Sequence, residues 1–295
     1  MKNEVLTLKH VTLFEKGKRQ LDDISLRICS GDIIGLVNIG YQGLSALLDL
    51  ILYNRRLDVG SVFFMGKEVS SIDFCQRKPN KITLVESLSH LIFSMNICDN
   101  FFFIKEHSPF FVQKKKQLSQ LDEIFKEYGL TFTGTEYPSE LLTVERCKLE
   151  LVKACMSGSK LIIVKNPGAF LTPPEVKEIH ALMKKITQQK KTAFLYLSNY
   201  FSDISEICNS VAVMRKGSIL LKKEMKFITP QLLKNIQENF VRSFESLILN
   251  ENADKKNAAL TALLSYRDIL QLPIHKGECT EISFCLRQPI NALDS

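Results

Sequence analysis

The chain has 295 residues, 45% hydrophobic and 24% charged, with a formal net charge of +7, enough apolar material for a substantial core and against a disordered chain. Its lysines are scattered or in short runs such as 114–116, so the basic balance reads as a solvated face, with an acidic partner or a membrane surface as the alternative. Eight cysteines without a C-x-x-C pair or a Cys/His cluster at zinc spacing argue against a metal site and read as buried thiols in a reducing cytosol.

In chain order, the N-terminal MKNEVLTLKHV mixes acid and base among its apolar residues and lacks a small-residue cleavage site, so it does not read as a signal peptide. Residues 5–13 and 22–29 alternate as half-buried strands, and 32–37 (DIIGLV) is a continuous buried one. A helix over about 43–53 follows. DVGSVFFMGKEV then reads as a turn, a strand and a second turn closed by Gly66-Lys67. Residues 96–156 are mostly helical by pattern, with a lysine-rich, aromatic middle suggestive of an inserted subdomain. Beyond it come a strand at 160–164, a helix at 173–188, a strand at 192–198, a helix near 203–208, and the strands SVAVMR and SILLK. Thr229-Pro230 has the form of an N-cap followed by a first-turn proline. No run approaches the roughly 18 apolar residues of a membrane-spanning helix.

At the first strand-to-helix junction the sequence is VNIGYQGLSALL. A phosphate loop of the form G-x-x-x-x-G-K-[S/T] belongs at such a junction, and Asn38, Gly43, Leu44 and Ser45 fit its spacing, but the lysine is missing. Gly40 and Gly43 leave backbone freedom for N–H groups to face an anion, and Ser45, followed by Ala46, keeps a hydroxyl.

Five segments in order carry a resemblance to a known family. They are LDDISLRICSGDIIGLV, DVGSVFFMGKEV, KLELVKAC, KLIIVKNPGAFLT and YLSNYFSDISEICNSVAVMRKG. Over residues 1–225 the chain resembles the ATP-binding subunit of an ABC transporter, most like the first half of a sugar-importer type. The resemblance implies an α/β, ABC-type nucleotide-binding domain: a P-loop NTPase-like mixed sheet with antiparallel strands and an inserted helical subdomain at about 96–156.

The departures from the family fall on its chemistry. By the resemblance, Leu44 stands where the phosphate-contacting lysine belongs, Lys165 where the magnesium-side aspartate belongs, and Asn166 where a glutamate polarises the attacking water. The switch histidine corresponds to Asn199. The glutamine before the helical subdomain aligns with Glu86 or, one gap away, Ser87. The signature L-S-G-G-Q aligns with Leu141, Leu142, Thr143, Val144 and Glu145, with Val144 expected to place a branched side chain where backbone meets phosphate. No catalytic residue is expected, and ATP is expected to be at most a weak ligand without magnesium-dependent turnover. Phe14 lies at or one residue from the place where the family stacks an aromatic on adenine; the alternative is a core residue at a strand end. For Lys165 three readings stand: a solvated ammonium, an internal ion pair with a carboxylate such as Glu86, or a cation for a bound phosphate.

Weaker signals complete the reading. The five histidines are dispersed and read as ordinary surface or core residues, and Gly217 reads as a turn glycine. The stretch 101–116 (FFFIKEHSPFFVQKKK) either docks a membrane subunit or packs on its own subdomain. Residues 226–295 form a helical linker and a short strand in which 278–290 resembles 22–33, as a vestigial second half or an independent capping strand, with 250–258 as a flexible joint. The function implied is a non-hydrolysing, regulatory or structural partner of a sugar-type ABC importer, a pseudo-ATPase. The alternatives are an active or weakly active subunit for sugar import and a free-standing nucleotide or anion sensor. Expected partners are an ABC permease or an intact ATP-binding subunit, with no nucleic acid. The expected location is cytoplasmic, or peripheral at the inner membrane face through a partner.

Overall fold

The computed structural model describes residues 3–39, 42–53, 56–69, 81–86, 89–102, 114–198, 201–229 and 232. Gly40, Ser87, Asn199, most of 101–116, and the linker, joint and repeat expected beyond 230 lie outside the described residues. The unit described below comprises 1–198 and 203–227; the rest of the chain is a second unit. In that second unit the Leu232 N–H donates to Thr229 Oγ1 at 3.2 Å, the bond an N-cap threonine makes.

The chain opens with two long strands, β1 (Glu4–Glu15) and β2 (Lys18–Cys29), joined at Lys16-Gly17, where φ is +49° and +74° as a tight hairpin requires. Alternation buries Ile24, Leu26 and Ile28 while Ser25 and Arg27 face out. The pair is antiparallel, with β4 (Val59–Phe64) on the other side of β1 and the two-residue β5 (Lys67–Glu68) beyond it. The second hairpin turns at Met65-Gly66, with Lys67 already in the strand, one residue earlier than the sequence suggested. Gly60 is required by packing: a Cβ there would stand 2.4 Å from the His10 carbonyl oxygen.

The second sheet has six described strands in the order β10-β9-β3-β8-β7-β6, from Ser218–Glu224, Ser210–Arg215, Ile33–Ile39, Ala193–Leu197, Leu161–Lys165 and Ile82–Val85. All its pairings are parallel except β9 with β10. The continuous apolar runs read from the sequence are its central strands, since a parallel strand covered on both faces needs no polar side. The helices are α1 (Leu44–Tyr53), α2 (Ile97–Phe102), α3 (Lys114–Tyr128), α4 (Thr143–Met156), α5 (Pro173–Lys190) and α6 (Phe201–Ile207). One apolar cluster joins the inner faces of β1 and β2 to β3, β7, β8, β9 and α1. Among the described residues no helix is long and apolar enough to cross a membrane.

Four of the five described cysteines are buried and free, as read from the sequence; Cys29 is only half-buried. Burial pushes the Cys147 thiol up to about 12 and raises Cys155 and Cys208, so these behave as small apolar groups.

Candidate functional site

Chain order places the site. From β3 the chain passes to β6 at one edge and returns through β7 to β8, then β9 pairs on the opposite flank of β3. The crevice outside the carboxyl ends of parallel strands, at such a reversal, is where open α/β sheets bind ligands. The residues there are Asn38 near the end of β3, Glu86 after β6, Lys165 and Asn166 at the end of β7, and Ser198 after β8.

The junction between β3 and α1 is held from outside. Gly43 has φ +90°, and a Cβ on it would stand 2.6 Å from Met214 Cε, 2.7 Å from Gly217 Cα and 2.8 Å from the Gln20 carbonyl oxygen. Gly217 (φ +81°) is tighter still, its Cβ meeting the Gln20 oxygen at 2.2 Å, while its own carbonyl accepts from the Asp22 N–H at 2.8 Å. Gly217 is therefore a close-approach glycine and not only a turn residue. Leu44 packs its side chain against the core between the sheets, Ala46 is buried, and Ser45 is exposed in the first turn of α1.

Phe14 is 41% exposed, so the core reading of that residue is overturned. Its N–H donates to Asp58 Oδ2 at 2.7 Å, and the Arg19 guanidinium lies over its ring at 5.4 Å. Arg19 also binds Asp22, and its carbonyl accepts from Gln42 Nε2 at 3.0 Å. The hairpin that carries Phe14 is thereby tied to the loop before α1.

At the far side of the crevice, Lys165 Nζ donates to Glu86 Oε2 at 2.8 Å. Of the three readings of Lys165, this is the internal pair. It joins the ends of two adjacent parallel strands, with the lysine side chain 36% and the glutamate 22% exposed. Asn166 follows in the left-handed region (φ +48°, ψ +52°), with its N–H donating to the Leu197 carbonyl at 2.7 Å. Asparagine tolerates that conformation better than most residues.

The 141–145 segment leads into α4 through the N-cap Leu142. Leu141 and Val144 are buried, at 5% and 6% exposure, whereas Leu142 is 66% exposed. The expectation that Val144 places a branched side chain where backbone meets phosphate is corrected: that side chain is buried at the start of α4, and Leu142 is the large apolar group on the surface. Arg146 organises the segment, donating to the Leu141 carbonyl at 2.8 Å and lying over the Phe93 ring at 5.8 Å.

Glu150 is a site feature the sequence reading missed. It is buried on α4 and accepts from Ser89 Oγ at 2.6 Å and the His90 N–H at 2.5 Å, anchoring the chain beyond Glu86. Burial raises its pKa, against the lowering effect of those two bonds. Its only sequence signal is an acid flanked by Leu149 and Leu151 in the segment KLELVKAC.

The fold is that of the ATP-binding cassettes of ABC transporters. A nucleotide-free cassette from an ABC transporter superposes with a TM-score of 0.66 at 18% identity, over 82% of this chain and 98% of that one. The chain's relatives are ABC ATP-binding subunits, sugar importers among them. The galactose/methyl galactoside import ATP-binding protein of Treponema denticola is 23% identical over 224 residues, 76% of this chain and 45% of that protein. The methionine import ATP-binding protein of Enterococcus faecalis is 23% identical over 286 residues, 95% of this chain and 77% of that protein. The chain spans about half the length of the sugar-importer relatives it matches. No protein-family model matches it.

Proposed function

We propose that this chain is an ABC-type ATP-binding subunit homologue that does not hydrolyse nucleotide and acts as a regulatory or structural partner of a sugar-type ABC importer. The Lys165–Glu86 pair carries the reading. Phosphoryl transfer depends on placed cations and on a group that orients the attacking nucleophile. Where the family resemblance puts the magnesium carboxylate, this chain has an ammonium, and that ammonium is already neutralised by a carboxylate of the neighbouring strand. A metal arriving there meets a positive charge in place of a ligand.

The surrounding groups support the same conclusion. Leu44 contributes to the core and carries no charge for a phosphate. Asn166, at the position of the water-polarising acid, cannot act as a base. ATP is at most a weak ligand, through Ser45 and the N–H groups at the start of α1. The relatives' role in sugar import supports a permease or an intact ATP-binding subunit as the partner, with the chain at the membrane face only through that partner.

In such a pair the partner's phosphate loop would face Leu142 and Thr143 here, and this chain's loop would face the partner's signature. Both shared sites would be defective, so the chain acts as a brake on the partner. The experiment has two parts. Purified protein should show no magnesium-dependent ATPase above buffer; turnover that disappears on altering Ser45 overturns the non-hydrolysing reading. Titration into a candidate partner's steady-state assay should lower its rate; a rise, or no change despite demonstrated binding, rules out the brake.

A further inference from the structure

His180 on α5 is 1% exposed, and its ring sits between β8 and α6. Nε2 lies 2.8 Å from the Tyr196 hydroxyl, and the two rings meet edge to face with centroids 5.3 Å apart. Nδ1 is buried with no hydrogen-bond partner. The nearest carboxylate oxygen, Glu206 Oε2 on α6, is 3.6 Å away, beyond hydrogen-bond reach. This arrangement suits a neutral ring with its proton on Nε2, donating to Tyr196 and leaving a bare lone pair at Nδ1.

The groups around the ring can be named element by element. β8 contributes Tyr196, and α6 contributes Glu206 together with Asp203, whose carboxylate also acts on the Tyr196 phenol. α5 contributes Lys184, whose Nζ donates to the Glu206 carbonyl, and Cys208 follows α6. β3 contributes no charge: α6 lies so close over it that a Cβ on Gly35 would be 2.5 Å from Ile204 Cγ2. Asp203 in turn accepts from Ser198 Oγ at 3.1 Å, next to Leu197, whose carbonyl holds Asn166. The seat of α6 is thus linked through hydrogen bonds to the end of β7.

We propose that His180 is a proton-operated latch for residues 203–207 of α6: the neutral ring holds them seated, and a proton taken from solvent onto Nδ1 releases them. A charged imidazolium in that position would have one counter-charge, Glu206 Oε2 at 3.6 Å from Nδ1, too long for a good hydrogen bond and on a half-solvated side chain, so the pair offsets only part of the cost of burying the charge. The charge is accommodated when α6 lifts and water enters. Burial, the largest influence, holds His180 below the usual histidine range, against the opposing pull of Glu206. The sign follows from linkage. The open form, with an ordinary histidine, binds the proton more tightly than the seated form, so seating is strongest above the ordinary histidine pKa of about 6.5 and weakens as pH falls.

The test is amide hydrogen exchange on the full chain at pH 7.5 and 5.5, corrected for intrinsic rates, with β8 amides as the internal control. In the wild-type protein, exchange at 203–207 should be about fivefold faster at the lower pH. His180→Phe, which fills the space without a titratable group, should abolish the difference. Glu206→Ala, at an exposed position, should enlarge it by removing the counter-charge that offsets burial. Exchange at 203–207 that does not respond to pH, or slows in acid, overturns the latch. So does a pH response that persists in His180→Phe or is unchanged in Glu206→Ala, and the second variant decides the matter even if the first does not fold.

Discussion

The junction before α1 and the end of β7 face the same crevice, yet different forces constrain them. At the first, Gly43 and Gly217 sit where any side chain collides with Gln20 and Met214. Those glycines are demanded by the packing of β2, the loop and the β9–β10 turn, whether or not a phosphate ever binds. At the second, what Lys165 and Glu86 contribute is charge and a hydrogen bond between two partly exposed side chains. On the reading proposed above, a cassette relieved of hydrolysis keeps the first kind of residue, because folding needs it, and is free to replace the second. Glycines at a phosphate loop are therefore poor evidence of nucleotide chemistry, and the charged groups opposite are better evidence.

The sharpest way to break this comparison is Gly217→Ala against Gly66→Ala. Both glycines have φ near +80°, at +81° and +76°, so both variants bear the same left-handed penalty. A Cβ on Gly66 meets nothing within 4 Å, whereas on Gly217 it meets the Gln20 carbonyl oxygen at 2.2 Å. Gly66→Ala should cost about 1 kcal/mol. Gly217→Ala should cost about 3 kcal/mol or more, because backbone must shift on both sides of the contact. Urea denaturation measures both, and equal costs would refute the claim that packing holds this glycine.

The opposite side of the comparison is tested by Lys165→Met, the next largest effect. It leaves a carboxylate that is only 22% exposed without its cation. Because the lysine is itself partly solvated, the loss should be modest, about 1 kcal/mol, above a typical surface pair and well below a fully buried one. Glu86→Gln and the double variant complete a cycle that isolates the coupling. A coupling indistinguishable from zero would make the pair incidental and remove the main support for a self-neutralised site.

Most of the fold was legible because buried parallel strands announce themselves as apolar runs, and β3, β7 and β8 fall within a residue or two of the expected positions. The candidate site was legible in part. Lys165 at the end of a buried strand required a partner, a solvent path or a ligand, and Glu86 was the carboxylate that the alignment brought near. What could not be read was the direction of side chains at irregular positions. Val144 falls on the buried stripe of α4 with Cys147 and Leu151, a placement that depends on the helix starting at Thr143, whereas Leu142 precedes the helix as its N-cap and follows no helical period. Phe14 sits at a hairpin end, partly exposed, with the guanidinium of Arg19, two residues past the turn, over its ring. The Glu150 anchor and the His180 environment depend on contacts across 60 and 16 residues of sequence, which no local pattern encodes.

The smallest effect concerns the start of α4, where the exposed apolar residue stands at a cap. Leu142 is the N-cap, with extended backbone (φ −64°, ψ +158°) and no side-chain bond to the first turn. Half of a capping box is nonetheless in place, since Glu145 Oε2 accepts from the Leu142 N–H at 2.8 Å. Leu142→Ser would complete it, offering a hydroxyl oxygen to the N–H of Val144 or Glu145. Because the leucine is 66% exposed, little apolar burial is forfeited. The chain should gain about 0.5–1 kcal/mol, read as a rise in the denaturation midpoint. Turnover should not appear, because Leu44, Lys165 and Asn166 are unchanged. A fall in stability would mean that the Leu142 side chain packs more than its exposure indicates. A gain accompanied by ATPase activity would show that the cap position, and not the Lys165–Glu86 pair, holds hydrolysis off.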